Sequence, residues 1–300
     1  MSKKKVIVIT GPTGSGKTDI SLKVAKLINA EIINCDASQL KKDLNIGTAK
    51  LDLSSTDVVH HLIDFLPADA NYSIKDFQEK GRFLIEDITS RGKVAMVVGG
   101  TGLYINALLY DYDLTSTERN PEFEKKYQDL DNHSLHEILK EYDVDSYNLI
   151  HENNRRRVLR ALEKALEKQE ESNEKHELLY DALIFSLNTD RELLYSRINK
   201  RVEIMFDNGW IEECISLKEK DIDITKIKDI GYPEVFQYLD GNLEKEEMLN
   251  TIKQKTRNYA KRQITWFKNK LNCVWIDMNY NNLDITLDEV MDKINNFFKV

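Results

Sequence analysis

Short runs of aliphatic and β-branched residues alternate with amphipathic segments in the first third of the chain. Residues 6–10, 31–35 and 94–98 have the composition of strands that are buried on both faces. Between them, residues 19–28 and 76–91 carry apolar side chains at helical spacing. Strands that alternate with helices in this way predict a parallel sheet with right-handed crossovers.

The pattern changes after about residue 111. Residues 113–180 are highly charged, have helical spacing and lack runs that resemble strands. Residues 182–187 resemble a strand that returns to the sheet, helices follow to about residue 270, and residues 274–276 are a candidate last strand. We therefore predict two core segments, 1–112 and 181–300, around a mostly helical insertion domain.

The first strand leads into GPTGSGKT at residues 11–18, which is the pattern of a phosphate-binding loop (P-loop). Its glycines let backbone N–H groups turn towards phosphate oxygens, and the following helix N-terminus favours negative charge. Lys17 supplies a cation, and the Thr18 hydroxyl is a typical ligand for Mg²⁺. The predicted fold class is therefore α/β, with a parallel sheet like that of P-loop NTPases, flanked by helices.

Two features of a nucleotide-hydrolysing protein are missing from the sequence. The candidate strand at 94–98 ends in Gly-Gly-Thr-Gly without the usual Mg²⁺-binding Asp, and there is no guanine-reading Asn-Lys-x-Asp. Asp36 instead follows the second strand, at the sheet edge where ligands bind. This position fits a general base near bound phosphates. It fits equally well a helix cap or a residue that binds Mg²⁺ through water.

Composition describes an ordinary globular protein, with 41% hydrophobic and 31% charged residues and a net charge of −8. The three cysteines are far apart and odd in number, which favours core thiols in a reducing compartment. No apolar run approaches the ~18 residues of a membrane span, and the N-terminus leads directly into a strand. We expect a cytoplasmic protein without a signal peptide or a membrane partner.

Two basic stretches interrupt this acidic background. Residues 253–268 contain six basic residues and no acidic one, and Lys253, Arg257 and Lys261 fall on one helix face. Phosphate contacts with a nucleic acid are one use of such a stretch. A solvated helix face above a core stripe is the alternative.

The second stretch, residues 153–163, places Arg156 and Arg160 one helical turn apart, and arginine suits phosphate recognition better than lysine does. Arg197 and Arg201 have the same spacing further along the chain. These two side chains are candidates for a diphosphate at the loop, and surface salt bridges are the alternative.

Together these motifs resemble the tRNA dimethylallyltransferase (tRNA isopentenyltransferase) family, in its bacterial type. The loop alone is generic, but the ordered set is highly specific and covers nearly the whole chain. The matching motifs are GPTGSGKT at 11–18, D-x-x-Q at 36–39, IGTAK at 46–50, HHLID at 60–64, YSIKDFQ at 72–78, VGGTGLYINALL at 98–109, NNRRRVLRALE at 153–163, RINKRVEIM at 197–205, IGYPEV at 230–235 and TRNYAKRQITWF at 256–267.

The resemblance implies that the loop holds the diphosphate of dimethylallyl diphosphate rather than a nucleotide. The dimethylallyl group would pass to N6 of adenine 37 in the anticodon stem-loop of a tRNA, with Mg²⁺ as cofactor and a monomeric enzyme. It also implies catalytic roles for Asp36 as general base, for Thr101 and for Lys17. The implied diphosphate and metal ligands are Gly11, Pro12, Thr13, Gly14, Ser15, Gly16, Lys17 and Thr18, with Arg197 and Arg201, and Thr18 also binds the metal.

The implied tRNA contacts include Gln39, which resembles the residue that reads the extruded adenine. The full set is Asp36, Ala37, Ser38, Gln39, Thr101, Phe123, Arg156, Arg157, Val158, Leu159, Arg160, Arg257, Lys261, Arg262, Gln263 and Trp266. Family members usually have Asp-Ser-Met-Gln-Val-Tyr where this chain has Asp-Ala-Ser-Gln-Leu-Lys at 36–41, and Asp where it has Asn45. Rate or tRNA choice is therefore expected to differ from the family pattern.

Three other functions compete with this one. A transferase acting on free AMP or ADP would not need the basic stretches, and a small-molecule kinase would bind ATP at the loop. A non-catalytic RNA-binding protein would have lost activity through the changes at 37–41. Incubation with dimethylallyl diphosphate or ATP and unmodified tRNA separates all of them.

Overall fold

The computed structural model describes residues 3–111, 121–166, 177–220 and 222–299. The chain forms two compact units, Met1–Asp111 with Glu177–Val300, and Tyr112–His176. The predicted start of the insertion at residue 113 lies outside the described residues, as do residues 167–176 of that insertion. In the described part of the chain, no helix combines the length and apolar character that a membrane crossing requires.

A parallel β-sheet forms the centre of the first unit and confirms the predicted α/β class. Its strand order is β3-β2-β4-β1-β5-β6, and every described pairing is parallel. The strands are β1 (Lys5–Thr10), β2 (Ala30–Asn34), β3 (His60–His61), β4 (Val94–Gly99), β5 (Asp181–Asn188) and β6 (Val274–Asp277).

Both faces of this sheet are buried, which explains why its strands read as continuous apolar runs. In β1, Val6 and Val8 belong to the core on one face, while Ile7 and Ile9 belong to the core on the other. Successive side chains of a strand point to opposite faces, so a run without polar positions can only be a central strand.

Helices cover both faces and extend beyond the sheet. In the first unit they are α1 (Lys17–Leu27), α2 (Ile74–Ser90), α3 (Gly102–Leu109), α8 (Arg191–Asp207), α9 (Trp210–Glu219), α10 (Tyr232–Leu239), α11 (Lys245–Lys270) and α12 (Leu283–Lys299). Those of the second unit are α4 (Pro121–Lys126), α5 (Asn132–Tyr142), α6 (Val144–Leu149) and α7 (Arg155–Leu166). The Ser73 capping box fixes the start of α2, because Ser73 and Asp76 satisfy each other's backbone N–H groups.

The second unit has its own small core, made by α4 to α7 around Leu135, Leu139, Val158 and Leu162. A further core cluster in the first unit contains Trp210 at the start of α9, with residues of α10 and of the first half of α11.

The apolar pattern predicted five of the six described strands to within one residue at either end. It missed β3, which has only two residues and therefore no measurable alternation. It also missed α12, which follows the last strand. Cys35 and Cys214 are buried and Cys273 is partly buried, all three unpaired, which confirms the reading of core thiols.

Glu31 is a buried carboxylate at the start of β2, with its side chain only 4% exposed. Arg91 binds both of its oxygens, at 2.6 and 2.8 Å, and Lys93 and His61 add contacts at 2.8 and 2.7 Å. The hydrogen bonds from Arg91 are the main reason that the pKa of Glu31 lies far below its usual range.

We expect Glu31→Gln to lower the free energy of unfolding by about 2 kcal/mol at pH 7, because charge-assisted hydrogen bonds are lost in a buried site. Because the pKa of Glu31 is lower in the folded than in the unfolded protein, its ionised carboxylate stabilises the folded state at pH values above the unfolded pKa of ~4.3. This stabilisation is lost as the pH falls towards the folded-state pKa. The gap to wild type should therefore shrink on acidification below about pH 4. Urea denaturation measures both effects. The control Glu86→Gln, at an exposed ion pair with Lys4, should cost under about 1 kcal/mol, and an equal cost would contradict the interpretation.

Candidate active site

Three segments meet at the carboxyl edge of the sheet. The P-loop follows β1, Asp36 follows β2, and Gly100 and Thr101 follow β4. The first two of these segments line a cavity of about 930 Å³ within the first unit, with Lys17 and Asp36 among the lining residues. The loops that follow neighbouring parallel strands all lie at this edge of the sheet. Segments that are more than 80 residues apart in the sequence can therefore form one site.

The P-loop backbone follows the geometry that its glycines allow. Gly14 and Gly16 both have φ of +83°, a conformation that other residues rarely adopt, and Gly16 caps α1. Lys17 donates to the carbonyl oxygens of Gly11 and Pro12 at 3.0 Å each. Burial lowers the pKa of Lys17 to about 8, against the opposing attraction of Asp36.

Two arginines of α8 contact the same loop. Arg197 donates from Nε to the Gly14 carbonyl at 3.0 Å, and Arg201 donates from Nη1 to the Thr13 hydroxyl at 3.2 Å. Burial lowers the pKa of Arg201 and Asp36 opposes this shift. Both arginines line the cavity, so three cations converge on the loop, as an anionic ligand requires.

Asp36 faces these cations across the cavity. Its Oδ1 accepts the backbone N–H of Ser38 at 3.1 Å, which fixes the side chain in a turn. Burial raises the pKa of Asp36, although Lys17, the Ser38 N–H and Arg201 all favour its charged form. A carboxyl with a raised pKa beside partly desolvated cations has the character of a proton acceptor.

Thr101 joins the β4 end to the Asp36 turn. Its hydroxyl accepts the N–H of Ala37 at 3.1 Å, and its own N–H donates to the carbonyl of Cys35 at 3.1 Å. The Thr101 hydroxyl also hydrogen-bonds Tyr259 of α11, whose pKa is raised by burial. Tyr259 lines the cavity, and none of the sequence-based predictions included it.

Gln39 lies at the far end of the cavity, where its Nε2 donates to the carbonyl oxygens of Thr48 and Ala49 at 3.2 and 3.3 Å. The loop that it contacts is held from behind by Glu213. That carboxylate accepts the N–H groups of Asn45, Ile46 and Gly47 at 2.9, 2.8 and 3.3 Å. No local signal marked Glu213, because the loop that it holds lies more than 160 residues away along the chain.

A second carboxylate, Asp229, also lines the cavity and was not predicted. Lys41 pairs with it at 2.9 Å, and the two side chains are 17% and 12% exposed. Asp229 contributes to the raised pKa of Asp36. The unusual Lys41 noted in the sequence thus compensates a charge inside the site.

Gln263 has internal partners that its predicted role did not include. It is 5% exposed, its Oε1 accepts the N–H of Thr13 at 2.8 Å, and its Nε2 donates to the carbonyl of Gly100 at 2.9 Å. The amide therefore clamps the P-loop to the segment after β4. Gln263 also lines the cavity, and its contact with tRNA stays a prediction.

Of the other residues in the basic stretch on α11, some pack against the protein and others are exposed to solvent. Arg257 donates to Asn199 at 2.6 Å and Lys253 pairs with Glu203 at 2.6 Å, so the predicted basic face packs partly against α8. Trp266 is partly buried and lies against Gly102, where no Cβ would fit. Lys261 and Arg262 are exposed.

In the second unit, Arg156 and Arg157 are exposed on α7, and Arg160 pairs with Glu163 at 2.5 Å. Val158 and Leu159 are buried in the core of this unit, and partly buried Phe123 packs against that core. The expected tRNA contacts of the Val158 and Leu159 side chains are therefore corrected to core packing, since an amphipathic helix must bury its apolar face.

Thr18 is exposed at the start of α1 and lines the cavity together with Asp19. Among the residues that the structure describes, no group of three or more His, Cys, Asp or Glu side chains could hold a metal ion.

The chain is similar to known proteins over nearly its whole length. The family model for IPP transferase matches residues 39–270, and that for isopentenyl transferase matches residues 4–59. The tRNA dimethylallyltransferase of Staphylococcus haemolyticus is 41% identical over 98% of this chain and 93% of its own length.

Two solved structures have similar folds. The tRNA delta(2)-isopentenylpyrophosphate transferase of Staphylococcus epidermidis is 40% identical, with a TM-score of 0.73 over 98% of this chain and 99% of that one. A eukaryotic dimethylallyltransferase, described as acting on tRNA, is 30% identical, with a TM-score of 0.83 over 98% and 79% of the respective chains.

We expect Gln263→Ala to lower the free energy of unfolding by about 1–3 kcal/mol, because the Thr13 N–H and the Gly100 carbonyl lose their partner in a buried position. Urea denaturation measures the loss. The matched control is Gln254→Ala, an exposed glutamine on the same helix, which should change stability by less than about 0.5 kcal/mol. Equal values for the two variants would contradict the clamp.

Proposed function

Because this chain belongs to the IPP transferase family of tRNA dimethylallyltransferases, we propose that it transfers the dimethylallyl group of dimethylallyl diphosphate to N6 of adenine 37 in tRNA. The observation that carries this proposal is the meeting of three loop-bound cations and one partly buried carboxyl, Asp36, in a single cavity. The cations suit a diphosphate leaving group, and the carboxyl suits an amine that must lose a proton.

The P-loop supports binding of the diphosphate. Lys17, Arg197 and Arg201 offset the charge that develops as the bond from carbon to the bridging oxygen breaks. The segment after β4 is Gly100-Thr101 and contains no carboxylate. The Asp that normally completes a nucleotide-hydrolysing site is thus replaced by a backbone turn, which favours a diphosphate ester over ATP as ligand.

Asp36 is the proposed general base. The N6 lone pair of adenine is delocalised into the ring, so the amine becomes a good nucleophile only as its proton leaves. In the proposed step the N6–C1 bond forms, the C1–O bond breaks, diphosphate departs, and the proton moves to the Asp36 carboxylate. Thr101 supports this role by fixing the Ala37 N–H, and with it the turn that carries Asp36.

Mg²⁺ is the proposed cofactor, with Thr18 as its protein ligand and the diphosphate oxygens as the others. A metal ion bound in this way would neutralise part of the negative charge on the leaving diphosphate. Lys17 and the arginines act on the same charge independently of it.

Recognition of the anticodon stem-loop is supported by exposed cations in both units. These are Arg156 and Arg157 in the second unit, and Lys261 and Arg262 in the first. Gln39 is the proposed reader of the extruded adenine, since it lines the same cavity as Asp36. A monomeric enzyme in the cytoplasm completes the proposal, and the three unpaired cysteines are consistent with a reducing compartment.

The test is an incubation of the protein with dimethylallyl diphosphate, Mg²⁺ and unmodified tRNA, followed by nuclease digestion and mass analysis. Isopentenyladenosine at position 37 is the expected product. Modification of AMP in preference to tRNA, or turnover only when ATP replaces the prenyl donor, would overturn the proposal in favour of a free-nucleotide transferase or a kinase.

Asp36→Asn should reduce turnover by about 10²–10⁴-fold while tRNA affinity stays near that of wild type, because only proton transfer is lost. The control is Asp229→Asn, which removes the other carboxylate of the cavity. That variant should remain active, and its kcat/KM should decline at lower pH than in wild type, because a lost negative charge and an unpaired Lys41 both lower the pKa of Asp36. The pH profile of kcat/KM measures this shift, and near-normal turnover of Asp36→Asn would remove Asp36 from its role.

Lys261→Ala combined with Arg262→Ala should weaken tRNA binding and reduce the slope of log K against log salt by about 1–2, since each phosphate contact releases counterions. Filter binding at several salt concentrations measures the slope. Lys23→Ala with Lys26→Ala changes the net charge equally on exposed positions of α1, and its slope should match wild type. The same slope in both double variants would count against an RNA contact at α11.

A further inference from the structure

Tyr280 lies outside the cavity, in the segment that follows β6, and nothing in the sequence motifs involves it. Its ring nevertheless forms a cation–π contact with the guanidinium of Arg197, whose central carbon lies 3.7 Å from the ring centroid. This is the shortest cation–π distance in the described part of the chain. An arginine held at this distance over a ring loses little further freedom when it binds an anion.

The hydroxyl of Tyr280 reaches two further elements. It shares a hydrogen bond of 2.6 Å with the hydroxyl of Thr189, directly after β5, and it donates to the carbonyl of Ser15 in the P-loop at 3.3 Å. One side chain therefore connects the loop, the end of β5 and the helix that carries Arg197.

The P-loop lies directly against this segment. A Cβ added at Gly16 would come within 3.0 Å of Met278 and 3.6 Å of the Tyr280 ring. The loop can approach so closely because position 16 has no side chain, and its positive φ also requires glycine.

The backbone around Tyr280 is held firmly. Met278 donates its N–H to Asn188 at 3.0 Å, and Asn279 donates its N–H to Thr286 at 2.9 Å. The Asn279 side chain accepts the N–H groups of Asn281 and Asn282 at 3.1 and 2.9 Å. A ring mounted on such a fixed turn is a rigid support.

Arg197 uses only its Nε within the protein, in the bond to Gly14. Among the residues that the structure describes, its two Nη groups have no hydrogen-bond partner, and Arg197 lines the cavity. The stacked face and the Nε bond together fix the direction in which those Nη groups point.

We propose that Tyr280 is a positioning residue for the diphosphate, holding the guanidinium of Arg197 against the P-loop so that its Nη groups are available to phosphate oxygens. This inference rests on the proposed function, because it assumes a diphosphate at the loop. It also implies that the segment after β6 forms part of the donor site although it does not line the cavity.

The experiment measures the affinity of the full-length protein for inorganic pyrophosphate with Mg²⁺, by calorimetry, in Tyr280→Leu, Tyr280→Phe, Arg197→Lys and Arg197→Met. We expect Tyr280→Leu to bind pyrophosphate about 3- to 30-fold more weakly, the range of a lost cation–π contact. Tyr280→Phe keeps the aromatic ring and should therefore lose less affinity for pyrophosphate than Tyr280→Leu does. Arg197→Lys keeps the charge but not the stacking plane, and should resemble Tyr280→Leu.

A double-mutant cycle distinguishes positioning from general support of the fold. If Tyr280 acts through Arg197, then Tyr280→Leu should have little further effect in the Arg197→Met background. If Tyr280→Leu instead weakens pyrophosphate binding by the same factor in the Arg197→Met background as in wild type, the proposal is overturned. The KM for tRNA should stay unchanged in Tyr280→Phe, whereas a structural defect would alter it together with donor binding.

The matched control is Tyr195→Leu. Tyr195 contacts Arg191 in a similar pair at the start of α8, with 5.3 Å between the guanidinium carbon and the ring centroid, and the pair does not line the cavity. It should bind pyrophosphate like wild type. Unchanged affinity in both Tyr280 variants and in Arg197→Lys would overturn this inference alone. Failure of the wild-type protein to bind pyrophosphate would overturn the proposed function and this inference together.

Discussion

Opposite charges held in one partly desolvated cavity are the constraint on which this site depends. Lys17, Asp36 and Arg201 influence one another's ionisation, and burial shifts each of them towards its neutral form. The attraction between Asp36 and the two cations limits these shifts, whereas Arg201 lowers the pKa of Lys17 further. Removal of Asp36 would therefore leave two like charges together in the cavity. A dianionic or trianionic ligand at the loop would meet cations that are already oriented and only weakly hydrated, which strengthens the interaction.

The structure holds this charged group in place with contacts from distant parts of the chain. Gln263 joins the P-loop to the β4 end, Thr101 joins the β4 end to the Asp36 turn, and Glu213 holds the loop below Gln39. Each of these side chains satisfies backbone groups that would otherwise be unpaired in the interior. The geometry of the cavity is therefore supported by amide and hydroxyl hydrogen bonds and by the partly buried carboxylate of Glu213.

Charge compensation also explains how this chain accommodates its departures from the family pattern. Lys41 replaces a residue that is usually tyrosine, and its ammonium group pairs with Asp229 in the cavity wall. Asn45, in place of the usual Asp, accepts a hydrogen bond of 2.9 Å from Lys50, which also pairs with Asp64 at 2.6 Å. In both cases the altered residue has a polar partner, so neither change leaves a charge unpaired.

The sequence by itself determined the parallel α/β core, the P-loop and the position of Asp36, because these depend on local patterns: strand runs, a glycine-defined turn and the residue after a strand. The RNA contacts assigned to α11 and α7 stay predictions, and the side chains of Gln263, Val158 and Leu159 in these helices are buried. Tertiary structure alone decided the roles of Tyr259, Glu213, Asp229 and Tyr280. Their partners lie far along the chain, as with Thr13 and Gln263, which are 250 residues apart. Periodicity along a sequence reveals which face of an element is apolar, but the partner of a polar side chain is fixed only when the folded elements pack together.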